Sequence, residues 1–554
     1  MREPTTVFRN GAVFCADAAG TWASAVATRG GHIVAVGGDA DVAEHVAGAG
    51  DVVDLHGRLL LPGFIDAHIH PFMGGLERLR CDLTALSTAT GYREAIKQYA
   101  GAHPELTWIQ GGGWSVAAFE NGTPTKQALD DICPDRPVFL PNRDRHSAWV
   151  NSAALRLAGI EAQTPDPADG RIERDAAGEP TGALHESAMF LVAALVPADT
   201  PEDHLAGLRI AQDYLHSLGI VGWQDAFVTY EDTTASTHAA YLQAQEQGWL
   251  TARVSAALWW GQSGSIEQIP SRLAHLETLR AEARQAGDRY AAENVKVLVD
   301  GVIESRTASL LDPYLDRCGC PGHDQGMRFF EPDVLHAVTT ALDGAGFGVH
   351  FHALGDRAVR DALDAVEAAQ RAHGTSDHRH QLAHLQIVEP SDRRRFRQLG
   401  AAANLQAFWA GHDDQLDQLV IPALGDERTR WLYPFGDLHL DGATLVMGSD
   451  WPVSTPDPLA GVHVAVNRRQ PTSGDDAPRL NVGQALPLPV ALRAYTAGSA
   501  WVNRLDQRSG TIAAGFDADL VVLSRNPFDG LPDEISSTRV DRTYVAGDLV
   551  YVRD

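Results

Sequence analysis

Lysine is almost missing from this chain: of its 45 basic residues only Lys97, Lys126 and Lys296 are lysines, and the rest are arginines. Acidic residues number 72, leaving a formal net charge of −27 that repels phosphate backbones and anionic membranes and argues against either as a partner. Cysteine is scarce and odd in number, at five (Cys15, Cys81, Cys133, Cys318, Cys320). That argues against a disulfide framework and fits a reducing, cytoplasmic compartment. No uncharged apolar run reaches the ~18 residues a membrane span needs, and the opening MREPTTVFRN lacks the basic-then-apolar pattern of a secretion signal, so a soluble protein is expected. HExxH, GxSxG and the phosphate-cradling P-loop are missing too, which removes the usual zinc-protease, serine-hydrolase and NTPase readings.

At 554 residues the chain exceeds one ordinary core, so two or three domains are expected unless an α/β barrel with insertions takes most of the length. Both ends carry short β-prone runs broken by Gly and Asn turns, TVFRNGAVFCADAAGTWASAVATRGGHIVAVGG at the start and GFDADLVVLSRNPF and VDRTYVAGDLVYVRD at the close. Pattern alone suggests that the termini pair into one discontinuous β domain, residues 1–60 with 505–554. Between them eight apolar β-like runs alternate with helical stretches: LLLPGFIDAHIH, GIVGWQDA, ARVSAALWW, NVKVLVDGV, FGVHFHAL, HQLAHLQIV, AAANLQAFWA and TLVMGSDWPV. Such alternation predicts parallel strands with crossover helices, and eight units predict a (β/α)8 TIM barrel, residues 61–80 with 190–504, its active site at the C-terminal strand ends. The gap after the first unit is too long for one helix, so residues 81–189 are predicted to be an inserted subdomain.

Side chains along a strand alternate faces, so His68 and His70 project to the same side, within reach of one ion. An isolated HxH is an even choice between that and two histidines bonded to loops. The balance shifts because four later runs each carry a polar group: Lys296, His352, His384 and Asp450. In a barrel these can converge. A lysine inside an apolar strand must be neutralised, paired or modified, and its survival in a chain that otherwise uses arginine suggests that primary-amine chemistry is needed; a lysine that snorkels or pairs with a nearby acid is the plainer alternative.

These stretches resemble the metal-dependent amidohydrolase superfamily, in its YtcJ-like or amidohydrolase family 3 branch, which includes proteins like N-substituted formamide deformylase. The match is carried by PGFIDAHIHP, GGGW, RDRHSAWVNSAAL, VKVLVDGVIESRTASLLDPY, HFHALGDRAV, LAHLQIVEP, GSDWPVSTPDPL, AYTAGSA and GTIAAGFDADLVVL, in that order. The resemblance implies the barrel, a β-sandwich built from both termini, and a site for one or two divalent metal ions, usually zinc. It also implies roles: His68 and His70 on the more buried metal, His352 and His384 on the other, Lys296 carboxylated by CO2 and bridging them, and Asp450 completing the site as general base. Ala383 departs from the pattern, since many relatives carry Glu before the strand-six histidine.

Around this set, His350 is expected to sit behind the ligands or in the core, and His373, His378 and His380 to lie on a solvated loop. Cys318 and Cys320 lack the two further ligands of a structural zinc site. The inserted segment lies over the pocket in the family, which makes Trp114 and His146 candidates for substrate contact. Arg306 is a candidate for a carbonyl or carboxylate, or for pairing with Glu304. The expected function is hydrolysis of a C–N bond in a small amide-like molecule; an ester or lactone hydrolase, lyase or isomerase on the same scaffold and a non-enzymatic scaffold are the alternatives. A homodimer is left open.

Overall fold

The computed structural model describes residues 5–119, 123–143, 147–167, 170–229, 236–261, 265–316, 318–320, 322–474 and 476–554. The chain divides into two compact units, residues 1–70 with 212–554, and residues 71–211.

At the centre of the first unit eight strands form one parallel sheet in sequential order: β1 (Phe64–Ile69), β2 (Ile220–Val228), β3 (Arg253–Gly261), β4 (Tyr290–Leu298), β5 (Gly348–Ala353), β6 (Gln381–His384), β7 (Ala402–Leu405) and β8 (Thr444–Met447). Their residues are nearly all buried, as expected for strands covered on both faces. Helices cross between consecutive strands: Ile269–Ala286 precedes β4, Pro332–Gly344 precedes β5 and Asp356–His373 precedes β6. The last buries Val359, Ala362, Leu363, Val366 and Ala369 at helical spacing, giving one apolar stripe. The predicted α/β barrel is therefore present, and it is nearly closed. At the seam the Asp450 N–H donates to His68 O at 2.7 Å and the His70 N–H donates to Trp451 O at 2.9 Å. Gly448 permits this approach, because a Cβ there would lie 2.5 Å from His68 N.

Strands from both termini flank the barrel. A four-stranded sheet orders His32–Gly37, Ala25–Arg29, Thr5–Arg9 and Asp51–Asp54; a six-stranded sheet orders Asp548–Val552, Val540–Val545, Leu520–Leu523, Leu59–Pro62, Ala12–Phe14 and Trp22–Ala23. Phe8, Val13, Val26, Leu60, Leu520, Val522 and Tyr544 share one core between them. Arg253, at the first residue of β3, joins this region to the barrel through Asp517 and Asp519, each at 2.6 Å.

The second unit holds its own six-stranded sheet, ordered Gly170–Arg174, Pro180–Glu186, Ser147–Val150, Val138–Pro141, Ile109–Gly112 and Cys81–Asp82. Tyr92, Ile96, Trp114, Leu140 and Trp149 pack its core. Among the described residues no helix is long and apolar enough to cross a membrane.

Candidate metal centre

Strand β1 ends in the polar half of its own alternation, and Asp66 and His68 are both fully buried there. His68 Nε2 and His70 Nε2 lie 3.3 and 3.0 Å from one atom, Asp450 Oδ1, and a donor atom from each of the three falls within 4.8 Å of the others. Lys296 Nζ approaches His68 Nε2 to 3.4 Å. The His384 ring contacts those of His68 and His352, with centroids 4.7 and 4.5 Å apart. His68, His70, Lys296, His352, His384 and Asp450 are thus brought into one cluster at the C-terminal side of the barrel, supplied by β1, β4, β5 and β6, their ends, and the segment after β8.

The cluster is rich in buried lone pairs with nothing to meet them. Asp450 Oδ1 is close to two imidazoles yet makes no aligned hydrogen bond, and neither His70 Nδ1 nor either ring nitrogen of His384 has a hydrogen-bond partner among the described residues. Buried polar atoms are costly when left unpaired, and imidazole nitrogens converging with a carboxylate are the donor set that divalent zinc prefers. The residues therefore fit a metal ion. His384 and Asp450 also hold left-handed backbones, φ +79° and +58°, a conformation that costs a non-glycine residue about 1 kcal/mol or more and gathers at functional sites.

Burial sets the charges. It pushes the His68 and His384 imidazoles well below their ordinary range and His352 to about 3, with Lys296 adding to the effect, so these rings are neutral and able to ligate. Burial pushes the Lys296 ammonium down to about 7, against the pull of Asp450. For Asp450 burial alone would raise the carboxyl, but contact with His70 and the charge of Lys296 outweigh it and hold it low.

Two buried acids brace the ligand-bearing segments, and a third is buried on β2. Asp66 accepts from the His68 N–H at 3.0 Å and from the Ser449 N–H at 3.0 Å, pinning β1 to the turn that carries Asp450. Asp300 accepts from the N–H groups of Ser309, Leu354 and Gly355, tying the loop after β4 to the turn after His352. Asp225 takes the Phe227 N–H and the Tyr241 hydroxyl. Desolvation pushes Asp66 and Asp300 up to about 7 and Asp225 to about 6. None of the three is among the sequence candidates, although DxHxH spacing in FIDAHIH was a usable signal for Asp66.

The remaining candidates fall elsewhere. His350 sits behind His68, its Nε2 2.9 Å from His68 Nδ1. Trp114 is fully buried in the core of the 71–211 unit, its indole N–H donating to Leu140 O at 2.7 Å. His146 lies outside the described residues. Arg306 is exposed, with its guanidinium over the Tyr314 ring and a hydrogen bond to Leu315 O, while Glu304 accepts from Gln386. The segment carrying His373, His378 and His380 is largely solvent-exposed, as expected, but His380 is buried and all three rings face buried Asp343, at 2.9, 3.8 and 3.2 Å. Cys318 and Cys320 are exposed beside Asp316, a third donor that the motif RCGC does not reveal.

A match to the amidohydrolase family spans residues 51–551. The chain belongs to amidohydrolase family 3. This amidohydrolase is 31% identical to YtcJ of Bacillus subtilis over 502 residues, 90% of each chain, and 30% identical to the N-substituted formamide deformylase of Arthrobacter pascens over 98% of each. Among solved structures, a metal-dependent hydrolase of Pyrococcus horikoshii matches with a TM-score of 0.73 at 25% identity, covering 95% of this chain and 99% of that one. The amidohydrolase is accordingly a hydrolase of the metal-dependent superfamily.

Proposed function

We propose that this amidohydrolase cleaves the C–N bond of a small amide-like substrate carrying an apolar or aromatic substituent on nitrogen. The observation that carries this reading is the set of unpaired imidazole and carboxylate donors at the C-terminal side of the barrel. His68, His70, Lys296, His352, His384 and Asp450 would hold one or two zinc ions. A bound zinc lowers the pKa of water and polarises a carbonyl.

Asp450 is placed to manage the proton: its carboxyl is held low and therefore ionised, so it takes the proton of the attacking water and returns it to the leaving nitrogen. Lys296, with its ammonium pushed to about 7, presents a large share of neutral amine near neutral pH. A neutral amine adds to CO2 and releases a proton, leaving a carbamate with two anionic oxygens in place of a cation. Arginine cannot do this, which accounts for lysine at this position.

Aromatic rings near the cluster support the choice of substituent. The Phe227 ring is 6.5 Å from that of His70 and packs on Trp259 at 4.6 Å, and Trp409 stacks on His384 at 5.3 Å. The name of the Arthrobacter relative points the same way.

The test is a screen of zinc-reconstituted protein over N-formyl, N-acyl, cyclic amide and carbamate substrates, with esters and lactones alongside. Amide turnover that falls ~10²–10⁴-fold in Asp450→Asn, with zinc retained, is the expected result; turnover of esters or lactones alone, or full activity of Asp450→Asn, overturns it. Lys296→Ala should lose zinc and regain part of it with a small carboxylic acid.

A further inference from the structure

Beneath the cluster a buried run of side chains passes through β1, β2, β5, β6 and β7, and its hydrogen atoms can be placed by logic from one fixed end. The backbone N–H of His384 can only donate, and it donates to Gln406 Oε1 at 2.7 Å. Gln406 must then turn Nε2 to Asn404 Oδ1, 3.0 Å away. Asn404 Nδ2 donates to the Ala67 carbonyl at 2.9 Å, which can only accept, and to Gln381 Oε1 at 2.7 Å. Gln381 therefore presents Nε2 to Gln224 Oε1, at 2.7 Å.

Gln224 Oε1 also faces His350 Nδ1 at 2.8 Å, so Nδ1 of His350 carries the proton. In a neutral ring the other nitrogen accepts, and His350 Nε2 lies 2.9 Å from His68 Nδ1. The His68 proton is thereby fixed on Nδ1, and Nε2 is left bare toward Lys296 and Asp450. Gln224 Nε2 has no partner among the described residues, but turning that amide over would set two N–H groups against each other at Gln381. Every member of the run is buried, with at most 2% exposure, so water cannot substitute for a missing link, and a doubly protonated His350 would be an imidazolium set among uncharged amides.

We propose that this run is a positioning device: it locks His68 in the Nδ1–H form and dedicates His68 Nε2 to the metal, with Gln224 and His350 as the positioning residues that transmit the setting. Metal-bound histidines are usually oriented by a carboxylate or backbone carbonyl on their other nitrogen. Here an imidazole and four amides do it, in a chain where Ala383 leaves the strand-six carboxylate out.

The proposal rests on His68 as a metal ligand, but the tautomer itself belongs to the metal-free protein as well. Nitrogen-15 NMR of histidine-labelled full-length protein, without and with zinc, should show His68 and His350 both protonated on Nδ1. An Nε2–H form of His68 in the metal-free protein overturns the proposal. Zinc affinity, measured by chelator competition, gives the second readout. Gln224→Met and His350→Met should each weaken zinc ~10–100-fold, while His350→Gln, which keeps an acceptor for His68, should stay within ~3-fold of the wild type at a similar melting temperature. Equal affinity in the Met and Gln variants of His350 overturns the transmission. Protein that shows the Nδ1–H tautomer and binds no zinc sinks the metal reading and leaves the lock standing.

Discussion

Two polar clusters are buried in the same barrel, and they are built on opposite rules. At the start of β3, Arg253 meets Asp517 and Asp519 at 2.6 Å each, and the Asp519 carboxylate also takes the Ala546 N–H, so opposite charges face each other at close range. At the far ends of the strands, four imidazoles, an amine and one carboxylate crowd together and leave ring nitrogens and an oxygen without partners. The first cluster pairs its charges within the chain, with Arg253 Nη1 alone left unbonded among the described residues, and serves to hold the terminal strands on the barrel. The second leaves its donors unpaired among the described residues, as the proposed metal site requires.

The largest effect should come from removing one polar group at the unfinished end. Lys296→Met is expected to abolish turnover, by about 10³-fold or more, because the proposed carbamate cannot form without the amine. The same substitution should raise the stability of the metal-free protein, since it replaces a desolvated amine with an apolar side chain of similar length. Loss of stability in that variant would break the contrast between the two ends. Paired kinetics and urea unfolding decide it.

Next in size is the mirror experiment. Arg253→Met leaves Asp519 buried without its cation, while Asp517 keeps Arg508 at 2.6 Å, and should cost about 3–5 kcal/mol, with zinc affinity and turnover of the folded fraction unchanged. A cost below ~1 kcal/mol would mean that this triad is no better satisfied than the metal-side cluster.

A pH experiment sharpens the same comparison. With the Lys296 ammonium pushed from 10.5 to about 7, the unfolded chain binds a proton that the folded chain does not, between about pH 7 and 10.5. Stability of the metal-free wild type should therefore climb through that window relative to Lys296→Met, by an order of a few kcal/mol, and run parallel to it below pH 7. Parallel curves throughout would show that the amine keeps its charge in the fold.

Much of this contrast is legible in the sequence alone. HxH at the end of an apolar run fixes two side chains on one face by strand geometry, and Lys296 stands out because lysine is so rare here. Strand–helix alternation is enough to expect eight parallel strands. What cannot be read is anything that depends on register between distant strands. Gln224, Gln381, Asn404 and Gln406 look like stray polar residues within apolar runs until β2, β6 and β7 are set side by side, because the partners are as much as 337 residues apart. Trp114 follows three glycines and suggests a loop over a pocket, yet its own neighbours Phe119 and Trp149 enclose it. RAHGTSDHRH reads as a solvated loop, which most of it is; the burial of His380 cannot be read because its partner Asp343 lies in another element, the helix Pro332–Gly344.

That partner gives the smallest of the expected effects and a third kind of buried cluster, between the other two in character. Asp343 is 2% exposed and accepts from Ser376 Oγ at 2.8 Å besides facing His373, His378 and His380. Burial alone would raise its carboxyl, but the bonds from His380, His373 and Ser376 outweigh that and hold it well below the usual carboxylate range. An acid depressed in the folded state adds stability that is present above its unfolded value and fades as pH falls through the folded one. Asp343→Asn should therefore cost about 2 kcal/mol near pH 7, and the difference from wild type should shrink only below about pH 4. His380 also accepts the Val349 N–H on β5 at 3.1 Å, so the clasp holds the strand that carries His350 and His352. If Asp343→Asn loses stability but keeps zinc affinity, the clasp is scaffolding like Arg253; if zinc weakens in step, the strand it holds is part of the unfinished end.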